Sequence, residues 1–319
     1  MNSAVGHHRR KHLPHRGWRP LCLWALGAAA IALVGYAVIK FHWHQWLYYT
    51  IVSSMNTDQQ TGRNIWLPDY KIAIEARPIA GIEDDLSAIA YDYDKSRLLA
   101  VTNATPVRLV VLGKDGALLE AYPLTGFQDV EGLAYMGDGL VAVTDEDAQR
   151  LNFFHLPEQP GAAIDVKDTE FLSLGINLST QNKGFEGITY DADHDRLFIA
   201  KEKGPRQLYQ VSGIKQSLAG KLQVSILDLT PWVERSVFTT DISDLHYDAK
   251  TSHLLVLSDE SKLIIELSDD GEMVSYRSLQ GQLSDLKHSA PQAEGLTLDT
   301  EGNLYVVSEP NLFYVFKKP

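Results

Sequence analysis

Glu131-Gly132-Leu133, Glu186-Gly187-Ile188 and Glu294-Gly295-Leu296 each open a short apolar run of strand character. A second apolar run follows each and ends in acid, as in Leu140-Val141-Ala142-Val143-Thr144-Asp145 and Leu304-Tyr305-Val306-Val307-Ser308-Glu309. The recurrence marks an internal repeat, and aligning the chain on it adds Ser87-Ala88-Ile89 and Ser243-Asp244-Leu245. The five openings are spaced 44, 55, 57 and 51 residues apart, the size of a four-stranded propeller blade. Within each unit, short apolar strands are separated by turn signals such as Gly113-Lys114-Asp115-Gly116 and Asp269-Asp270-Gly271.

The last unit runs out after three strands, because Leu312 to Phe316 is followed at once by the last residues of the sequence. An unassigned strand pattern, Tyr70-Lys71-Ile72-Ala73-Ile74-Glu75, precedes the first unit. Placing it as the outer strand of the last blade closes the ring without a free edge. The expectation is an all-β, five-bladed β-propeller over residues 68–319. A six-bladed ring is the alternative, if an insert after Leu156 or Gly213 hides a further blade, but neither insert carries the opening motif.

Charge is distributed unevenly along the 319 residues. Six basic residues (Arg9, Arg10, Lys11, Arg16, Arg19 and Lys40) stand in the first forty, and no acid appears before Asp58. The remainder carries 23 bases against 41 acids. Such an acidic body argues against nucleic acid as a partner and favours cationic ones. Residues 21–39 are an apolar run just long enough to cross a bilayer as a helix. A cleaved secretory signal fits less well, since the run is long and no small-x-small site precedes the bulky Phe41 to Tyr49. The flanking charges place the N-terminus in the cytoplasm. The expected organisation is therefore a basic cytoplasmic segment at 1–20, a single-pass anchor at 21–39 in a bacterial inner membrane, an interfacial linker at 40–67, and the propeller on the extracytoplasmic side.

The single cysteine, Cys22, falls inside the apolar run, which excludes disulfide stapling of the body. The histidines at 7, 8, 12 and 15, and those at 42 and 44, have no acidic or cysteine partner nearby and read as solvated or interfacial side chains.

In a propeller blade the first strand lines the channel and the second returns antiparallel to it, so the start of one and the end of the other share a rim. Counting five residues beyond the first leucine of each second strand gives Asn103, Asp145, Glu202, Asp259 and Glu309, paired with Ser87, Glu131, Glu186, Ser243 and Glu294. Seven of these ten positions are acidic. An oxygen-only set without histidine or thiol points to Ca2+, less readily to Mg2+, and away from zinc. The candidate ligands are Glu131, Glu186 and Glu294 first, then Glu309, Glu202, Asp145 and Asp259, with Glu146, Asp244 and Glu260 as neighbours able to substitute. The plain alternative is that each acid accepts hydrogen bonds from backbone amides of adjoining blades, and that the glycines simply permit close backbone approach. Asp191-Ala192-Asp193-His194-Asp195 imitates a calcium loop, but Arg196 stands where such a loop needs glycine, so the segment reads as a hairpin turn.

Taken with the apolar N-terminal run, Gly184-Phe185-Glu186-Gly187-Ile188-Thr189-Tyr190 with Lys201-Glu202-Lys203, and Gln292-Ala293-Glu294-Gly295-Leu296 followed by Val307-Ser308-Glu309-Pro310-Asn311, resemble the SdiA-regulated or YjiK-like family. These are bacterial membrane-anchored β-propellers, distantly similar to NHL-repeat proteins. The resemblance covers nearly the whole chain and implies a five-bladed propeller with a bound calcium ion and no assigned reaction. Signatures of nucleophilic, nucleotide-dependent or zinc hydrolase chemistry are absent from the sequence. The expected role is recognition of an exported ligand or protein. The alternative is a divalent-metal-dependent lactone, ester or phosphoester hydrolase at the same acidic mouth, for which Lys201 and Lys203 beside Glu202 offer a hint.

Overall fold

The computed structural model describes residues 19–55, 63–174 and 184–319. The first histidine cluster, most of the basic N-terminal segment and most of the insert at 175–184 lie outside the described residues. The chain divides into two compact units, Met1–His44 and Gln45–Pro319.

The first unit contains helix α1, Arg19–Lys40. Its segment Cys22–Lys40, 19 residues with a hydropathy of 2.2, has no buried side chain, so among the described residues one helix is long and apolar enough to cross a membrane.

The second unit begins within α2, Trp43–Met55. The closing strand β1 (Lys71–Pro78) follows. Blade one then comprises β2 (Leu86–Asp92), β3 (Arg97–Thr102), β4 (Arg108–Leu112) and β5 (Leu118–Thr125). Blade two is β6 (Leu133–Gly137), β7 (Leu140–Asp145), β8 (Arg150–His155) and, after the short β9 (Ile164–Asp165), β10 (Glu170–Ser173). β9 leaves its own blade and pairs in parallel with β5. Blade three is β11 (Phe185–Asp191), β12 (Arg196–Lys201), β13 (Gln207–Ser212) and β14 (Ser225–Asp228), with the short helices α3 (Ile214–Leu218) and α4 (Thr230–Ser236) around its outer strand. Blade four is β15 (Asp244–Asp248), β16 (His253–Ser258), β17 (Leu263–Leu267) and β18 (Met273–Ser278). Blade five is β19 (Ala293–Leu298), β20 (Leu304–Ser308), β21 (Leu312–Lys317) and β1, which pairs antiparallel with β21. The expected five-bladed ring is thus observed, closed by the strand assigned to that task. Each inner strand lies against the next, and β19 returns to β2.

The burial pattern explains why the inner strands read as continuous apolar runs. Strands such as β3, β7 and β16 are buried along nearly their whole length, because each blade is covered on both faces by its neighbours. The outer strand β14 is exposed throughout. The core is accordingly five apolar seams, one between each pair of adjacent blades. Leu99, Val101, Leu133 and Val143 fill the seam between blades one and two, and Ile89, Leu98, Val307 and Phe313 fill that between five and one.

Part of the stretch read as interfacial linker is ordered against the propeller. Tyr49 of α2 is fully buried in the seam between blades three and four, accepting from Phe238 N at 2.5 Å and donating to Ser236 O at 3.2 Å. Farther on, the buried Glu266 accepts hydrogen bonds from Ile65 N at 2.7 Å, Trp66 N at 2.9 Å and Ser275, and pairs with His253 at 2.7 Å. These bonds strap the chain across blade four just before it enters β1.

Candidate metal centre

The glycines of the repeat hold the inner strands together at one end of the channel. A Cβ on Gly132 would stand 2.0 Å from the carbonyl oxygen of Glu186, one on Gly187 would stand 3.0 Å from the backbone of Asp244, and one on Gly295 would stand 2.7 Å from Ile89 N. Only a residue without a side chain tolerates such contact at Gly132, so each glutamate is followed by glycine for a steric reason.

The second strands return to the same mouth, and their register defines which residue arrives there. Asn103 N, Glu146 N and Glu309 N donate to Asp85 O, Asp129 O and Gln292 O at 2.8, 2.7 and 2.8 Å. These three are therefore equivalent positions. In blade three Tyr190 pairs with Leu197, whereas in blade two Tyr135 pairs with Val141, because an irregularity at Met136 leaves Leu140 opposite Gly137. Glu146, not Asp145, is the counterpart of Glu202, since a one-residue shift reverses the side chain's direction. Asp145 instead joins Thr102, Lys201, Ser258 and Ser308 in a buried column. Its carboxylate accepts from Gln128 N and Ala148 N, both at 3.2 Å, and burial raises its pKa.

Glu131, Glu186 and Glu294 influence one another across blades two, three and five. Burial first, then the charge and hydrogen bond of Asp129 and the charges of Glu294 and Glu146, push Glu131 up to about 9. Burial followed by the charges of Glu202, Glu294, Glu131 and Glu146 holds Glu186 well above the usual carboxylate range. Glu294 is raised to about 8 by burial, then by Asp259, Glu309 and Asp241. Glu309 is raised to about 7 by burial and by contact with Asp85. Among the described residues the tightest group is Asp129, Glu131 and Glu146, whose ligand oxygens all lie within 4.8 Å of one another. Asn103 Nδ2 bridges Asp129 and Glu131 at 2.6 and 2.8 Å, and Gly184 N donates to Glu146 at 2.5 Å.

The remaining candidates are more fully engaged. Asp259 pairs with Lys262 at 2.6 Å and accepts from Ala293 N at 2.7 Å. Glu202 pairs with Lys203, which also reaches Glu260 at 3.2 Å. Burial opposes the charge on Lys203, but the two glutamates outweigh it and hold the lysine protonated above its ordinary range. Asp244 takes the place that glycine holds in three other blades and accepts from Leu296 N at 2.9 Å. The imitation calcium loop is a hairpin turn, in which Asp191 accepts from Asp193 N at 3.0 Å and from Arg196 Nε at 2.6 Å.

Sequence reasoning passed over Asp129. The signal lay two residues before each repeat opening, where the column reads Asp85, Asp129, Gly184, Asp241 and Gln292. Asp241 is the internal contrast, because there the opening residue is Ser243 and the buried carboxylate turns to Ser243 Oγ at 3.1 Å and Asp259 N at 3.0 Å.

The other end of the channel opens into a cavity of about 580 Å3, lined by Tyr91, Tyr135, Tyr190, Tyr247, His246 and Thr297 among others. None of the seven candidate acids lines it. Tyr135 and Tyr190 donate their hydroxyls to Asp94 at 2.6 Å and Asp195 at 3.0 Å, neither of which lines this space. Burial lowers His246 to about 4. His246 is thereby kept neutral and lies at the opposite end from the carboxylates.

The carboxylate cluster fits a hard cation. Its donors are oxygens alone, and the causes acting on Glu131 and Glu186 all disfavour the ionised form that a bound divalent ion would restore.

Among solved structures, the chain is similar to one in a nidogen/laminin complex, with 13% identity, a TM-score of 0.44, and 71% of this chain and 73% of that one covered. It is also similar to a structural genomics protein of unknown function from Bacteroides thetaiotaomicron, with 13% identity, a TM-score of 0.45, and 73% and 55% covered. Residues 62–317, the whole ring with its closing strand, match the model of one family. The chain belongs to the SdiA-regulated family.

Proposed function

We propose that this protein is a membrane-anchored, exported propeller that binds calcium at its acidic mouth and presents that rim as a recognition surface for an exported ligand or protein. The observation that carries the reading is the approach of Asp129, Glu131 and Glu146 to within 4.8 Å. Three carboxylates held this close, with Glu131 pushed to about 9, describe a site built for a charge it does not itself contain. Calcium suits it better than magnesium, since calcium accepts many carboxylate oxygens in tolerant geometry while magnesium keeps most of its waters. Glu186, Glu294, Glu202 and Glu309 on the same mouth would supply further oxygens directly or through water. The apolar helix and the basic segment before it support anchoring in a bacterial inner membrane, with the acidic ring on the extracytoplasmic side.

Metal analysis and calcium titration of the full chain in detergent test the site. The expected result is a stoichiometric divalent ion, lost in the double variant Glu131→Gln, Glu146→Gln. Absence of any bound divalent ion together with an unshifted melting temperature in calcium removes the proposal.

A hydrolase at the same mouth is favoured by one observation. Glu186 lies outside the tightest cluster, yet its carboxyl is raised well above the ordinary range, as acid–base exchange requires. A lactone, ester and phosphoester screen separates the two readings: turnover lost in Glu186→Gln while the metal is retained selects the enzyme.

A further inference from the structure

Helix α2 carries an apolar stripe on a face that the propeller does not cover. Its thirteen residues include no Asp, Glu, Lys or Arg. Gln45, Tyr49 and Ser53, four residues apart, are buried, and Thr50 is tied to Tyr276 by a 2.6 Å hydrogen bond. A second stripe with the same spacing points away: Leu47 is 51% exposed, Ile51 46% and Met55 72%. Tyr48 and Phe238, both exposed, extend this patch, with ring centroids 5.2 Å apart. A contiguous apolar surface on a rigid element marks an interaction site.

Building on the anchor reading of the proposed function, we infer that the outer face of α2 docks on the lipid bilayer, so that the helix is a foot holding the propeller at the membrane surface. Chain connectivity selects this occupant. A chain that leaves the hydrocarbon at Lys40 has only Phe41 and His42 before α2 begins at Trp43, three Cα-to-Cα steps with a reach of at most about 10 Å. The start of α2 therefore lies in the headgroup zone, where an uncharged helix with apolar and aromatic side chains is at home. Electrostatics makes no contribution, since α2 is uncharged and the ring is acidic; docking therefore persists in zwitterionic lipid and at high salt. The inner face is fixed independently by Tyr49, whose hydroxyl bridges Ser236 and Phe238, so the foot transmits membrane position to blades three and four.

The test uses the full chain in phosphatidylcholine nanodiscs. In a Cys22→Ser background, spin labels are placed one at a time at Leu47→Cys, Ile51→Cys, Leu33→Cys in α1, and Leu119→Cys on β5, across the ring from α2. Accessibility to oxygen and to a water-soluble nickel chelate is then compared. The expected result is loss of nickel accessibility with high oxygen accessibility at 33, 47 and 51, against full nickel accessibility at 119. Nickel accessibility at 47 and 51 equal to that at 119, with 33 still shielded, overturns docking and leaves the anchor intact. Nickel accessibility at 33 overturns the anchor and docking together. Shielding of 47 and 51 from both reagents, with dipolar coupling between labels, means a second copy covers the stripe and also overturns the inference.

Discussion

Replacing Glu131 by Gln should stabilise the metal-free protein and remove its response to calcium. Glu131 has an ordinary carboxyl pKa of 4.5 when unfolded and about 9 in the fold. The native state therefore holds a proton that the unfolded state releases between these values. Stability from this group is fully present below the unfolded value and is lost as pH rises through the window up to about 9. At pH 7 the linkage amounts to about 3 kcal/mol before allowance for exposure. Glu131 is half-buried, and solvent screening brings the expected gain for Gln to about 1–2 kcal/mol. That corresponds to a melting temperature about 2–4 °C higher for a domain of this size. The amide preserves the local bonds: its oxygen accepts from Asn103 as before, and its nitrogen donates to Asp129 as the protonated acid does. In calcium at a hundredfold excess over its dissociation constant, the native protein should gain about 2.7 kcal/mol, and the variant should lose most of that gain. Differential scanning calorimetry from pH 5 to 9, with chelator and with calcium, reads both effects. A variant that melts lower than the native protein in chelator, or that keeps the full calcium shift, refutes the reasoning.

Other perturbations probe the scaffold. Gly132→Ala places a methyl 2.0 Å from the Glu186 carbonyl and should cost about 3 kcal/mol or more in urea unfolding; a loss under about 1 kcal/mol would contradict the close approach of blades two and three. Glu266→Ala strands two backbone amides, Ser275 and His253 in a buried site and should lower stability by about 3–5 kcal/mol, with faster proteolysis before residue 67. Removing Lys71–Pro78 leaves β21 as an open edge, and sedimentation should show association in place of a single cooperative species.

The repeat made most of the fold legible. Five openings at blade-sized intervals gave the blade number, and the surplus strand before residue 79 had one place to go. Strands buried on both faces carry an apolar run that survives in sequence, as Leu98 to Val101 does. The site was legible only to the nearest residue. Asp145 and Glu146 are adjacent acids, and the count from Leu140 selected the first. The structure selects the second because blade two turns through Asp138-Gly139, both at positive φ, in a tight hairpin that puts Leu140 opposite Gly137. Asp129 was missed because its role depends on Glu146 crossing over to it, a contact made by strand pairing. The segment at 40–67 was read by composition, and composition alone does not tell that Tyr49 fills a seam between blades.

What the sequence determined by itself was periodicity: the ring, its closure, the mouth on which its acids gather and the apolar helix ahead of it. These follow from local pattern, since repeat spacing and runs of apolar side chains are written along the chain. Only the tertiary structure decided which carboxylates share a site and which turn to backbone amides. That choice rests on register and on the approach of neighbouring blades, where a shift of one residue carries an acid from the channel mouth into a buried seam.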